Sequence, residues 1–118
     1  MPYTLTKQER LCGKTAISAL MEKGRWGSYG CIRYCVLAPG GAEVSRIMVS
    51  VPKKNFKRAV KRNLLKRRIR ESYRMRKEML AGGPVDVLFY YNTKEVLSTA
   101  EIGAVIEGVL GAIARKQC

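Results

Sequence analysis

The sequence predicts an α+β sandwich, a small sheet with helices packed on it, and three observations lead there. Three β-rich runs are each bounded by glycine, proline or polar turn residues. Apolar stripes at helical spacing, each opening on an S/T-x-x-E box, lie near the two ends of the chain. Between the second and third β-rich runs sits an amphipathic basic segment, so the order is helix, strand, strand, basic helix, strand, helix.

The first helix follows the box Thr6-Lys7-Gln8-Glu9, carries Leu11, Ile17, Leu20 and Met21, and ends near Gly24. Pattern alone makes Ile17 and Met21 core residues. Arg25 to Gly30 reads as a turn-rich joint holding Trp26 and Tyr29. Cys31 to Leu37 is a strand, Pro39-Gly40-Gly41 a turn, and Val44 to Val51 a second, β-branched strand, the pair expected as an antiparallel hairpin. Pro52 closes the ladder because it lacks a backbone donor.

The basic helix begins near Arg58, with Val60, Leu64, Ile69 and Tyr73 on or near one side. Leu65 and Ser72 widen that side, Met75 and Met79 extend it, and Gly82-Gly83-Pro84 ends the helix. Val85 to Tyr91 is nearly all apolar or aromatic, hence a central strand covered on both faces. The last helix starts at the box Ser98-Thr99-Ala100-Glu101 and buries Ile102, Val105, Ile106, Val109, Leu110 and Ile113. The chain's 118 residues, 47% hydrophobic, suit one domain with a real core, residues 1–118.

Charge points to the partner. Residues Lys53 to Lys77 hold 13 of the 23 basic residues and one acid, Glu71, which is +12 of the formal +14. A polyanion is the natural ligand, and nucleic acid backbone the first candidate. A solvated charged face usually mixes signs, a membrane-surface helix needs its apolar side for lipid, and a basic zipper needs heptads that Gly82-Gly83-Pro84 interrupts. Charge alone does not choose between RNA and DNA.

Other classes lose ground. The chain has no histidine and a single aspartate, Asp86, so neither a Ser/His or Cys/His arrangement nor an evident carboxylate pair is available for catalysis. Cys12, Cys31, Cys35 and Cys118 read as reduced structural thiols, with no zinc site expected. No apolar run is long enough for a membrane span and the first residues do not look like a signal peptide, so a cytoplasmic location without membrane attachment is expected.

The detailed motif narrows the partner further. Lys53-Lys54 closing a strand, Ala59-Val60, Arg62-Asn63-Leu64, Lys66-Arg67 and Arg70-Glu71 together resemble the signature of the protein subunit of bacterial ribonuclease P. Glu9-Arg10-Leu11, Val49-Ser50-Val51 and Asp86 are similar to the family at lower specificity, so the likeness spans nearly the whole chain. Two positions depart: Leu64 stands where the motif has arginine, and Ile17 and Met21 stand where the first helix carries aromatics.

The resemblance implies a two-layer αβββαβα sandwich, one strand more than the residues alone suggest, with the basic helix in a left-handed βαβ crossover. It implies an RNA-binding domain of an enzyme that removes the 5′ leader of precursor tRNA, with catalysis and Mg²⁺ held mainly by the RNA subunit and no cofactor bound by this chain alone. Lys53, Lys54, Arg58, Lys61, Arg62, Asn63, Lys66, Arg67 and Arg70 would meet the ribonuclease P RNA. The precursor tRNA 5′ leader would run between the first helix and the sheet, near Ile17, Met21, Arg33 and Tyr34. Tyr34 can stack on an unpaired base or serve as a core tyrosine. A non-enzymatic RNA-binding protein with a similar helix is the alternative, and a protein nuclease is disfavoured by the missing histidines.

Overall fold

In the computed structural model, residues 11, 13–38, 45–80 and 84–117 are described. They form α1 (Lys14–Lys23), β1 (Arg25–Tyr29), β2 (Ile32–Leu37), β3 (Arg46–Ser50), α2 (Ala59–Arg76), β4 (Asp86–Tyr91) and α3 (Thr99–Gln117), with a 3₁₀ turn at Lys77–Met79. This is the αβββαβα order. The first capping box, the Pro39 turn, Gly82-Gly83, Cys12 and Cys118 lie outside the described residues.

The sheet order is β1-β2-β4-β3, with β4 antiparallel to β2 and parallel to β3. The expected hairpin of β2 with β3 is therefore not formed. β4 separates them, because a strand apolar on both faces loses most if left at an edge: Val87, Phe89 and Tyr91 face one core and Leu88 the other, all 5% exposed or less. The true hairpin is β1–β2, in the stretch read as a joint. Tyr29 pairs with Ile32 across the two-residue loop Gly30-Cys31, and Gly30 takes φ 59°, which glycine adopts without strain. Gly27 is required opposite Tyr34, since a Cβ there would lie 2.6 Å from the tyrosine ring.

Helices α2 and α3 pack on one face over Ile32, Tyr34, Ile47, Val49, Val87, Phe89 and Tyr91. Helix α1 covers part of the other, where Leu20 and Ile17 meet Cys35, Leu37, Met48 and Leu88. Leu11 precedes the helix and is pinned by its N–H to the Ile47 carbonyl at 2.8 Å. Met21 is 47% exposed, so it is not the core residue its spacing suggests. The last capping box forms as expected: Glu101 N–H donates to Ser98 Oγ at 3.1 Å and Ser98 N–H to Glu101 Oε1 at 3.2 Å.

In α2 the buried residues are Leu65, Ile69, Ser72 and Tyr73, while Val60, Leu64 and Met75 are 79%, 38% and 69% exposed. At ~100° per residue Val60 falls opposite Ile69, so the stripe expected through Val60 and Leu64 is broken at that end. Arg46 and Asp86, aligned in the β3–β4 register, form a two-point ion pair at 2.9 and 2.8 Å. It pins where the parallel ladder starts.

Candidate nucleic-acid interface

The approach to α2 is built by local chemistry. After β3 the chain turns through Lys53-Lys54-Asn55, with Asn55 and Phe56 N–H donating to the Pro52 carbonyl at 3.1 and 3.3 Å. Phe56 then plugs into the core, its ring 5.8 Å from that of Tyr91. Arg62, one turn into the helix, donates through Nη1 to the carbonyls of Phe56 and Lys57 at 2.7 and 2.9 Å. The segment carrying Lys53, Lys54, Lys57 and Arg58 is thereby tied to the helix carrying Lys61 and Arg70.

Those six cations are all exposed, as are Asn63 and Arg67. The buried Leu65-Ile69-Tyr73 stripe holds the opposite side of α2 in the core, so burial and charge are segregated on one helix. Not every basic residue in the block is equally available. Arg62 serves the loop, Arg68 donates to the Leu97 carbonyl at 2.5 Å, and Arg67 lies 3.3 Å from Glu71. Lys66 is half-buried beside them. Val60 and Leu64 add apolar surface to the same outer side, which can pack on sugar or base faces.

The second surface lies on the α1 side of the sheet. Residues paired across a sheet share a face, so Ser28, Arg33, Tyr90 and Ser50 form one row and Trp26, Cys35, Leu88 and Met48 the next. Helix α1 covers the second row at Cys35, Leu88 and Met48; Ser28 and Arg33 are exposed and Tyr90 and Ser50 half-buried. Ile17 and Met21 line the helix side, the first partly buried and the second exposed.

Tyr34 does not join this surface. It follows Arg33 in an alternating strand, points into the α2–α3 core and is 6% exposed, so base stacking by Tyr34 is replaced by its core role. The aromatic missed in the sequence is Trp26, 43% exposed on β1, with the Arg33 guanidinium carbon 5.3 Å from its ring centroid. Reading β1 as a strand would have placed it.

Among the described residues no group of three His, Cys, Asp or Glu side chains is placed to hold a metal ion. Cys31 and Cys35 are free thiols whose pKa values are pushed up by burial, which suits packing rather than nucleophilic or metal chemistry. They enter opposite clusters, Cys31 beside the α2–α3 core and Cys35 under α1. Among the described residues no helix is long and apolar enough to cross a membrane.

Residues 5–113 match the family model described as Ribonuclease P. The chain is 39% identical over 80 residues to the ribonuclease P protein component of Porphyromonas gingivalis, a match covering 66% of this chain and 58% of that protein. It thus spans little more than half the length of the first curated relatives it matches. It is 36% identical over 85 residues to the ribonuclease P protein component of Desulfatibacillum aliphaticivorans, covering 72% of this chain and 70% of the relative. The fold is shared with the ribonuclease P protein of Staphylococcus aureus, at TM-score 0.77, 23% identity and coverage of 91% and 96% of the two chains. It is also shared with that of Thermotoga maritima, at TM-score 0.76, 21% identity and coverage of 88% and 96%.

Proposed function

The chain belongs to the ribonuclease P family, and from that premise we propose that it is the protein subunit of a ribonucleoprotein endonuclease that removes the 5′ leader from precursor tRNA. The observation that carries this reading is the segregation of charge and burial on helix α2 and the segment before it, with Lys53, Lys54, Lys57, Arg58, Lys61 and Arg70 exposed and Leu65, Ile69 and Tyr73 buried.

In this reading the catalytic RNA docks on α2 and the loop before it. Exposed cations neutralise backbone phosphates and release their condensed counterions. Asn63, exposed among them, adds a neutral donor and acceptor that an electrostatic clamp would not need. Arg62 holds the Lys53–Lys57 loop in position, so its contribution to RNA binding is made partly through the backbone it anchors. Leader nucleotides lie on the other face, along α1 at Ile17 and Met21 and over the row that includes Arg33.

Mg²⁺ in this reading is held mainly by RNA and supplies the activated water and charge stabilisation for phosphodiester hydrolysis. The protein's part is to lower repulsion between two RNAs and to hold substrate. A cytoplasmic site of action goes with that role.

The test is multiple-turnover cleavage of a precursor tRNA by a bacterial ribonuclease P RNA at low Mg²⁺, with and without the protein. Protein-dependent release of the 5′ leader is expected. Tight RNA binding without stimulation would replace this reading with that of a non-enzymatic RNA-binding protein.

A further inference from the structure

We infer that Trp26 and Arg33 form a stacking platform for an unpaired RNA base at the edge of the sheet, extending the leader surface beyond the groove along α1. The inference rests on the proposed leader reading for its natural ligand, but its geometry stands independently. Trp26 keeps 43% of its surface open with Arg33 in place, on edge strand β1, where neighbouring Arg25, Ser28 and Tyr29 are also exposed. Among the described residues no strand covers the outer edge of β1.

An exposed indole is costly to leave in water, and here a cation sits against it at 5.3 Å. Arg33 stiffens the ring and supplies a positive charge at the place where a phosphate accompanies a stacked base. The row next to it, Ser28, Arg33, Tyr90 and Ser50, runs across the sheet to β3, whose chain continues into Lys53 and Lys54. A single strand lying along that row meets an aromatic and a cation at one end and two lysines just past the other. The occupant is single-stranded RNA rather than a second copy of this chain, because two copies would each bring a formal +14 to the contact.

Trp26 is the only tryptophan, so the chain carries its own reporter. The experiment titrates the full-length protein with a single-stranded oligoribonucleotide and with the same sequence in duplex form, following tryptophan fluorescence. The single strand should quench it at saturation, and the duplex should bind through α2 with little quenching. Trp26→Ala should weaken single-strand binding by about 5- to 100-fold, the usual range for losing one stacked base, while Trp26→Phe keeps most of it. Arg33→Ala should weaken binding less and shift the emission of the free protein.

Unchanged fluorescence at saturating single strand, or equal affinity of Trp26→Ala and the parent protein, overturns the inference. So does an emission change that depends on protein concentration alone, which would mark the edge as a contact between copies. The two readings fail separately. If the protein stimulates cleavage but Trp26→Ala handles long and one-nucleotide leaders as the parent does, the platform falls and the family function stands. If single-strand quenching is present but stimulation is not, the platform stands and the ribonuclease P reading falls.

Discussion

Replacing Lys53, Lys54 and Lys61 together by glutamine separates the cations that meet RNA from those that hold the fold. Six exposed cations with unobstructed heads, Lys53, Lys54, Lys57, Arg58, Lys61 and Arg70, lie on the α2 side. If each neutralises one phosphate at ~0.7 to 0.9 counterions released, affinity for the catalytic RNA falls with a log-log salt slope of about −4 to −5. From roughly 50 to 200 mM salt that is a loss of about 250- to 1000-fold. The triple variant should show a slope of about −2 to −3 and lose only about 15- to 60-fold over the same range. Its thermal stability should be unchanged, because these side chains lie outside the core.

Arg62→Gln and Arg68→Gln are the contrast. Their guanidinium groups hold the carbonyls of Phe56, Lys57 and Leu97, so they should lower stability by about 1–3 kcal/mol each and change the slope by less than one. Filter binding across a salt series and thermal melts of each variant supply both readouts. A parent slope near zero, or a triple variant whose slope equals the parent's, would refute the electrostatic account of α2.

Three further outcomes are expected. Asn63→Ala should weaken binding to the cognate catalytic RNA more than to an arbitrary structured RNA, and equal losses in competition assays would remove the case for a motif-specific contact. Asp86→Ala should destabilise the chain by about 3 kcal/mol, near the low end for breaking a buried pair because Arg46 keeps 18% of its side chain exposed; chemical denaturation measures it. The Tyr91 hydroxyl donates to the Glu95 carbonyl and accepts from Leu97 N–H, and burial pushes its pKa above the ordinary 10.0. Its protonated form is favoured in the fold, so its contribution is fully present below pH 10 and is lost as pH rises through the raised value; a pH series of melts should show a decline that Tyr91→Phe reduces.

How much of this was legible beforehand depends on how local the cause is. The last capping box, the apolar stripe of α3, the central place of β4 and the charge of α2 were readable because each is set by neighbours within one element. The motif around Lys53–Glu71 was readable for the same reason, and it led to the family. What could not be read was which surfaces face each other. β1 shows no alternation because its side chains are exposed on both faces apart from half-buried Gly27, so its pattern carries little strand signal. Arg62 looks like any other cation of the block until the fold brings the Phe56 and Lys57 carbonyls to it.

The sequence by itself determined that this chain has a core-anchored cationic helix, a strand that must be central, and no histidine. Only the tertiary structure decided that β4 lies between β2 and β3, that Tyr34 is buried while Trp26 is open, and that Asp86 meets Arg46. Periodicity and composition report energies that act along the chain, whereas strand order and side-chain facing follow from which distant apolar faces together exclude the most water.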